Sequence, residues 1–138
     1  MPRSTHTLTL PASTQSLEAV RRFVAARATA ARLSERDVEQ VTLAVDEACT
    51  NVVKHAYRGN ADETFKVSVV VDAERFTVRI CDTGTAFEPA EYHTPNLVQA
   101  VKARKRGGLG VHLMRRLMDQ VEYHSRGNVN EVRLVKYR

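Results

Sequence analysis

Two β-rich runs with only four residues between them place the strongest constraint on the fold of this chain. Residues 65–71 and 76–81 are dominated by Val, Ile and Phe, and the segment DAER separates them. Runs of this kind joined by a short polar segment predict an antiparallel hairpin. Residues 121–125 and 131–137 surround Gly127-Asn128 in the same way and predict a second hairpin.

The first thirty residues predict one strand followed by one helix. Residues 5–10 alternate in polarity before Pro11, which indicates a short first strand. Apolar residues at helical spacing then predict a helix that is capped by Ser13 or Ser16 and fades near Ala30. The apolar positions of this helix include Leu17, Val20, Phe23 and Val24.

A second helix is predicted to begin at Ser34, because Asp37 stands three residues later in a pattern close to a capping box. One face carries an apolar stripe at spacings of three and four, which predicts burial against a sheet. The helix is expected to run to about Tyr57 and to stop near Gly59. The stripe consists of Val38, Val41, Val45, Ala48 and Val52.

The order of these elements predicts an α+β fold. One strand, two helices, a hairpin, a third helix at residues 109–118 and a last hairpin fit a two-layer sandwich, with a mostly antiparallel sheet and helices on one face. A length of 138 residues fits one domain spanning residues 1–138. Residues 83–108 contain Gly84, Pro89 and Pro95, and a connection of this length is typical of a functional lid.

The positive charge of the chain is concentrated in one region. The chain has 21 Lys and Arg against 16 Asp and Glu, a net charge of +5, which fits nucleic acid, an anionic membrane surface or a phosphate-bearing ligand. Residues 101–118 hold six basic residues and no acidic one, which favours a local field for phosphate or for an acidic protein partner. The alternative is a solvated basic surface, above all for Arg115 and Arg116. The other four are Lys102, Arg104, Lys105 and Arg106.

The cysteine and histidine patterns exclude several classes of protein. Cys49 and Cys81 cannot form a disulfide framework, and the five histidines show no zinc-site spacing. No apolar run is long enough to span a membrane, and the N-terminus lacks the apolar stretch of a signal peptide. We therefore expect a cytoplasmic protein in a reducing environment that does not contact the membrane.

Glu47, Asn51 and His55 are spaced to form one line along the second helix. The amide oxygen of an Asn is a neutral, hard ligand suited to Mg²⁺, and a carboxylate one turn away can orient or deprotonate a nucleophile. The alternative is an ordinary solvated helix face, with His55 as a capping or packing residue.

Two further segments have the composition of a nucleotide site. Asp82 ends a strand and is followed by Gly84, so its carboxylate could accept a hydrogen bond from an exocyclic amine such as that of adenine. The alternative is a turn in which Asp82 caps its own backbone. Gly107, Gly108 and Gly110 precede a helix whose free N–H groups could hold phosphate, and the alternative there is a hinge.

Taken together, these segments resemble the N, G1 and G2 boxes of the GHKL ATPase superfamily. Within it, the chain is similar to the RsbW/SpoIIAB-type anti-sigma factor serine kinases over nearly its whole length. The resemblance rests on EACTNVVKHAY at residues 47–57, DTGTAFEP at residues 82–89 and GGLGVHLM at residues 107–114.

The resemblance implies the Bergerat ATP-binding fold, with ATP and Mg²⁺ as ligands and a lid at about residues 83–108. It implies that Asn51 binds the metal, that Glu47 is the general base toward a Ser or Thr hydroxyl, and that Asp82 binds the adenine amine. Gly84 would let adenine approach the backbone. The phosphates would be held by Gly107, Gly108, Leu109, Gly110 and Val111.

The same resemblance implies a homodimer that binds a sigma factor and phosphorylates a small STAS-type anti-anti-sigma protein. The chain departs from the family pattern at two positions. Ala86 stands where the superfamily often has a glycine, and Asn130 stands near the position of a Thr that contacts the adenine region. Asn130 could supply a similar polar contact through its amide.

Three alternatives remain open from the sequence. A histidine-kinase catalytic domain shares the boxes but needs phospho-acceptor helices upstream. A non-catalytic switch protein would bind ATP and sequester a partner without phosphorylating it, although the presence of both Glu47 and Asn51 favours catalysis. A nucleic-acid binder is suggested by charge alone, and an aromatic content of 6% gives it no support, so we expect no direct nucleic-acid contact.

Overall fold

Five strands form one antiparallel sheet in the order β1-β2-β3-β5-β4. The structure is a computed structural model that describes residues 3–56, 63–84 and 108–138. Both predicted hairpins are present, and the α+β prediction is confirmed. The strands are β1 (Ser4–Pro11), β2 (Thr64–Val71), β3 (Arg75–Asp82), β4 (Gln120–Arg126) and β5 (Val129–Tyr137).

Short-range contacts explain where the two hairpins turn. In the first hairpin, the Asp72 carboxylate accepts the backbone N–H groups of Glu74 and Arg75 at 2.9 and 2.8 Å. These two bonds stabilise the charged form and hold the pKa of Asp72 below its usual value. In the second hairpin, Gly127 has a φ of 62°, a left-handed conformation that glycine adopts at low cost.

Three helices pack on one face of the sheet: α1 (Ser16–Ala30), α2 (Glu35–Asn51) and α3 (Gly108–Leu117). The Ser34 cap is confirmed, because its side chain accepts the Asp37 N–H at 3.1 Å. The predicted cap of α1 is wrong, because Gln15 occupies that position without a side-chain bond. The Ser16 hydroxyl instead donates to the Pro11 carbonyl oxygen at 2.8 Å and ties α1 to the end of β1.

The connection between α1 and α2 is closed by a left-handed residue that is not glycine. Arg32 has a φ of 63°. Its N–H donates to the Thr29 carbonyl at 2.9 Å, and the Leu33 N–H donates to the Ala28 carbonyl at 3.2 Å. This pair of bonds is the Schellman motif, a common way to satisfy the last carbonyl groups of a helix.

The second helix departs from the prediction at its C-terminal end. The α-helix ends at Asn51, and Val52–Ala56 form a π-helical segment. The α-helix therefore does not continue to Tyr57, which lies outside the described residues together with Gly59. A π-helix closes i→i+5 hydrogen bonds, so side chains after Asn51 leave the α-helical register.

The core lies between α2 and the alternating residues of the central strands. Val41, Val45 and Ala48 are at most 3% exposed, and the stripe prediction holds except that Val38 is only partly buried. They pack in one cluster with the inward-facing side chains of β2 and β3. Those side chains are Phe65, Val67, Val69, Phe76, Val78 and Ile80.

The sequence predicted that the chain has neither a disulfide framework nor a membrane-spanning segment. Cys49 is buried, Cys81 is partly exposed, and both thiols are free. Within residues 3–56, 63–84 and 108–138, no helix is both long enough and apolar enough to cross a bilayer.

Candidate functional site

Helix α2 carries Glu47 and Asn51 one turn apart at its C-terminal end. Both side chains are half-buried, and Asn51 is the last α-helical residue before the π-helical segment. The neighbouring Asp46 is paired with Arg21 of α1 at 2.6 Å. Among the described residues, none donates a hydrogen bond to the Glu47 carboxylate. The predicted i, i+4 pair is therefore present on one face of the helix.

The third member of the predicted line falls in the π-helical segment. The backbone of His55 is π-helical, and its side chain lies outside the described part of the chain. A straight line through Glu47, Asn51 and His55 assumes an α-helix throughout, and that assumption is wrong after Asn51. The change in helix type occurs directly beside the proposed metal ligand, and π-helical turns are frequent at functional sites.

Asp82 is the one acidic side chain that is buried among the described residues, with 9% of its surface exposed. It is the last residue of β3, and its Oδ1 accepts the Gly84 N–H at 2.9 Å. This contact is the local turn that the alternative interpretation of Asp82 predicts. The Gly84 N–H contacts Oδ1 of the carboxylate. A carboxylate has acceptor positions on both oxygens, so the contact that caps the turn does not by itself exclude a ligand.

Asn130 contacts the same carboxylate from the neighbouring strand. Its Nδ2 donates to Asp82 Oδ1 at 3.0 Å and to the Gly84 carbonyl oxygen at 2.9 Å. Its Oδ1 accepts the Ser125 hydroxyl at 3.0 Å. Both amide hydrogens are thus engaged within the protein. Sequence reasoning placed Asn130 in this region as a nucleotide contact but missed Ser125, whose only signal is its position across the hairpin from Asn130.

The glycine-rich segment opens α3. The helix begins at Gly108, and the backbones of Gly108, Leu109 and Gly110 form its first turn. The first N–H groups of a helix have no partner within it, which makes this turn suited to anions. Gly107 and the side chains of Leu109 and Val111 lie outside the described residues, as do Ala86 and most of the predicted lid, residues 85–107.

The basic residues of α3 lie at its other end. Arg115 and Arg116 are exposed in the last turn of the helix, whereas the glycines form its first turn. Their exposed position at the far end of the helix favours the solvated alternative for these two residues. The remaining four basic residues of the predicted cluster lie outside the described residues.

The side chains that could act as metal ligands limit how the expected Mg²⁺ ion could be bound. Over the described residues, no three His, Cys, Asp or Glu side chains come together to hold an ion. The described residues therefore contain no metal site made of three or more such side chains. Mg²⁺ commonly takes one or two protein ligands and completes its shell with phosphate oxygens and water. The Asn51 amide oxygen, with Glu47 one turn away, fits that mode of binding.

The uncovered face of the sheet carries a charged cluster that the sequence analysis did not anticipate. Glu131 pairs with Arg79 and, at 3.0 Å, with Arg133. Burial alone would raise the pKa of Glu131, but these two guanidinium groups outweigh it and hold the pKa below its usual value. A depression of about 250 Å³ lies over this face, lined in part by Arg79, Arg133 and Gln120.

Comparison with known proteins places the chain in a family. Residues 10–136 match the histidine kinase-like ATPase domain. The serine-protein kinase RsbW of Listeria monocytogenes is 32% identical over 135 residues, which cover 95% of this chain and 85% of the relative. RsbW of Bacillus subtilis is 33% identical over 107 residues, covering 73% of this chain and 65% of the relative.

Two crystal structures share the fold at lower sequence identity. One contains the RsbU and RsbW domains of a Mycobacterium tuberculosis protein, with a TM-score of 0.70 and 14% identity over 98% of this chain and 33% of that one. The other is the SiaB–SiaC complex of Pseudomonas aeruginosa, with a TM-score of 0.64 and 16% identity over 94% of this chain and 88% of that one. The family match and the identity to the curated kinases together show that this chain belongs to the histidine kinase-like ATPase family, in its branch of RsbW-type serine-protein kinases.

Proposed function

We propose that this chain transfers the γ-phosphoryl group of Mg-ATP to a Ser or Thr of a small STAS-type antagonist, and that it sequesters a sigma factor when the antagonist is phosphorylated. The observation that carries this proposal is the buried Asp82 carboxylate, whose Oδ1 accepts from the Gly84 N–H and from Asn130 Nδ2. A buried acceptor of this kind is what recognition of an exocyclic amine requires.

The nucleotide would extend from Asp82 toward α3. Adenine would sit at Asp82 and against the Gly84 backbone, and the phosphates would meet the N–H groups at residues 107–111. Residues 83–108 would close over the nucleotide as a lid, with Lys102, Arg104, Lys105 and Arg106 supplying positive charge. The single domain, residues 1–138, would thus hold the whole nucleotide. α2 packs between α1 and α3, which brings Asn51 to the same side of the sheet as the glycine turn.

Phosphoryl transfer depends mainly on positioning and charge neutralisation. The Asn51 amide oxygen would hold the Mg²⁺, which neutralises phosphate charge when it is bound. Glu47 would accept the proton of the substrate hydroxyl, whose oxygen forms a bond to the γ-phosphorus as the bond to the ADP oxygen breaks. The half-buried position of Glu47 beside Asn51 suits this role, because the base must lie near the transferred group.

The partners follow from the relatives rather than from any surface of this chain. We propose that a sigma factor and a STAS-type antagonist compete for the kinase, that the kinase is a homodimer, and that it acts in the cytoplasm without contacting nucleic acid or a membrane. The two free thiols agree with a reducing compartment. The second candidate is a non-catalytic switch that binds ATP and a partner, which half-buried Glu47 and Asn51 side chains would also permit.

A phosphorylation assay separates the two candidates. Wild type and Glu47→Ala are incubated with radiolabelled ATP and a candidate STAS-type antagonist, and Glu39→Ala serves as the control because Glu39 is an exposed acid on the same helix. We expect label on the antagonist with wild type and Glu39→Ala, and a loss of about 100-fold or more with Glu47→Ala. Equal and minimal labelling by all three, with the antagonist still bound, would favour the non-catalytic switch.

Calorimetry tests the metal assignment separately. Asn51→Ala is expected to weaken Mg-ATP binding sharply, because the metal loses its protein ligand. The same variant should bind ATP in EDTA about as well as wild type does, since the adenine contacts are intact. Unchanged Mg-ATP affinity in Asn51→Ala would reject Asn51 as the metal ligand.

A further inference from the structure

The face of the sheet that points away from the helices carries charged side chains at its centre. Along β3, Arg75, Thr77 and Arg79 point outward and alternate with buried core residues. Strand register places Arg133 of β5 directly opposite Arg79, and it places Glu122 of β4 opposite Arg133. Opposed residues of neighbouring strands point to the same face. Strand pairing therefore gathers these charges on the uncovered face.

Four arginines line the depression of about 250 Å³ on this face, and we call them the arginine cluster. Two acidic side chains, Asp72 and Glu122, line the depression as well. Positive charge is in excess even when Glu131, which pairs with two of the arginines, is counted. An excess of positive charge on a concave surface attracts an anionic partner. The arginine cluster consists of Arg3, Arg75, Arg79 and Arg133.

Glu131 holds two of these arginines in place without burying them. It pairs with Arg79 and, at 3.0 Å, with Arg133, and the side chains of the two arginines remain 41% and 37% exposed. A guanidinium group has five N–H donors, so one carboxylate does not use them all. Side chains that are already ordered lose less entropy when they bind a partner. Arg79 and Arg133 are therefore suited to bind a further carboxylate.

Arg75 provides a second cationic point on the same strand. Residues four apart in a strand are separated by about 13 Å, so Arg75 lies at that distance from Arg79 along β3. Arg3 lines the same depression and adds to the positive charge there. An extended peptide has the same spacing between side chains four residues apart. Two acidic residues in such a peptide match both cationic points at once.

Two other occupants fit the arginine cluster less well. Nucleic acid has a phosphate at every nucleotide, so part of its backbone would meet Asp72 and Glu122, whereas a peptide can carry its acids only where the arginines lie. Among the described residues that line the depression, none is aromatic, so a base would have no side chain to stack on. A second copy of this chain would bring a like excess of positive charge, which opposes contact.

We propose that the arginine cluster docks an extended, acidic segment of a partner protein, with one carboxylate at Arg79 and Arg133 and a second, four residues away, at Arg75. The guanidinium groups would donate to the carboxylate oxygens of the segment. Asp82 belongs to the buried set of β3 side chains and so points to the other face of the sheet. Docking on the uncovered face therefore goes beyond the proposed kinase reaction and does not depend on it.

Fluorescence anisotropy of labelled peptides with the full chain tests this surface. The glutamate peptide carries two glutamates four residues apart in a run of threonine and serine, and the glutamine peptide has glutamines in their place. The protein variants are Arg75→Gln and Arg79→Gln. Arg36→Gln is the matched control, because Arg36 is an exposed arginine of α2 and its substitution removes the same charge.

We expect wild type and Arg36→Gln to bind the glutamate peptide equally. Arg75→Gln removes one exposed ion pair, so it should weaken that binding by about threefold. Arg79→Gln should weaken it by about tenfold, because Arg79 is less exposed and lies at the centre of the cluster. The glutamine peptide lacks both contacts and should bind wild type about 30-fold more weakly.

A reversed charge shows whether Arg75 meets one particular carboxylate. Arg75→Glu should bind the glutamate peptide more weakly than Arg75→Gln does, because it adds repulsion to the lost pair. It should regain affinity for one of two peptides in which a single glutamate is replaced by lysine. If Arg79→Gln does not fold, this exchange decides, because Arg75 is exposed and the fold should tolerate its substitution.

Several results would overturn this assignment. Wild type could bind the glutamate and glutamine peptides equally, or the two arginine variants could bind the glutamate peptide as Arg36→Gln does. A labelled single strand of DNA that binds more tightly than the glutamate peptide, and loses affinity in Arg79→Gln, would assign the surface to nucleic acid. A dimer that dissociates in Arg79→Gln during sedimentation, with peptide affinity unchanged, would assign it to a second copy of the chain.

Discussion

Lys136 donates from its Nζ to the main-chain carbonyl oxygen of Leu117 at 2.7 Å, and so joins the last strand to the last residue of α3. Lys136 is buried, with 9% of the residue's surface exposed. Its Nζ also donates to Gln40 Oε1 of α2 at 2.7 Å. A cation at the C-terminal end of a helix satisfies an orphan carbonyl and interacts favourably with the helix dipole. The helix that carries the glycine turn is thus anchored at its opposite end.

Replacing Lys136 with Met should lower the stability of the fold while keeping much of the side-chain volume. Two partly buried acceptors would lose a charged donor, so we expect the free energy of unfolding in urea to fall by about 2 kcal/mol. Lys66→Met is the matched control, because Lys66 is an exposed lysine on β2, and it should change stability by less than about 0.5 kcal/mol. Equal effects of the two substitutions would mean that the Lys136 bonds are not stabilising.

Replacing Arg32 with Gly should stabilise the protein. Arg32 has a φ of 63°, in the left-handed region that costs a residue with a side chain about 1 kcal/mol relative to glycine. We expect a gain of about 0.5 kcal/mol in denaturant unfolding, because removal of that strain exceeds the added flexibility of the unfolded chain. Arg32→Ala keeps the strain and should show no gain, so a gain in both variants would point to the lost charge as the cause.

The two cysteines should react at very different rates with an aromatic disulfide reagent. Burial, and secondarily Asp46, raises the pKa of the Cys49 thiol far above its usual value, so Cys49 should be labelled only on unfolding. Burial and Glu131 also raise the pKa of Cys81, which is partly exposed and should react slowly at pH 7 and faster as pH rises. Native Cys81→Ser should take up no label, and rapid labelling of that variant would show that Cys49 is accessible.

Glu131→Gln should destabilise the protein in a way that depends on pH. The pKa of Glu131 is lowered in the folded state, so its ion pairs stabilise the protein fully above the unfolded value of about 4.3 and lose that effect as pH falls through the lower folded value. We expect a loss of about 1 kcal/mol at pH 7 that shrinks below about pH 4.

Urea unfolding at several pH values measures this difference. Glu122→Gln is the control, because Glu122 is 44% exposed and pairs only with His124 at 3.1 Å among the described residues. Its effect should be small throughout. A loss in Glu131→Gln that stays constant down to pH 3.5 would contradict the role of the Arg79 and Arg133 pairs.

Local sequence patterns predicted those features that depend on neighbouring residues. Both hairpins follow from alternating runs around short turns, and the Ser34 cap follows from a side chain that reaches an N–H three residues away. The start of α1 was missed because several hydroxyl residues precede it, and the Ser16 hydroxyl binds the Pro11 carbonyl instead of its own helix. The π-helical end of α2 has no local signal that we recognise in the sequence.

In the candidate site too, contacts within one helix could be predicted from the sequence, whereas contacts between distant strands could not. Glu47 and Asn51 could be paired from the helical period alone, because both lie on one helix. The contact of Asn130 with Asp82 could not be foreseen, because it depends on the register of two strands that are distant in sequence. Ser125 was missed for the same reason, since only the completed C-terminal hairpin places it opposite Asn130.

The 48-residue separation of Asp82 and Asn130 has a consequence for how the protein matures. A contact that closes so long a loop forms only after the chain has lost considerable freedom, and such contacts form late in folding. While the protein is being synthesised on the ribosome, Asp82 emerges well before the strand that holds it in place. A ligand that needs the fixed carboxylate therefore binds only chains whose final strand has docked, and binding reports that folding is complete.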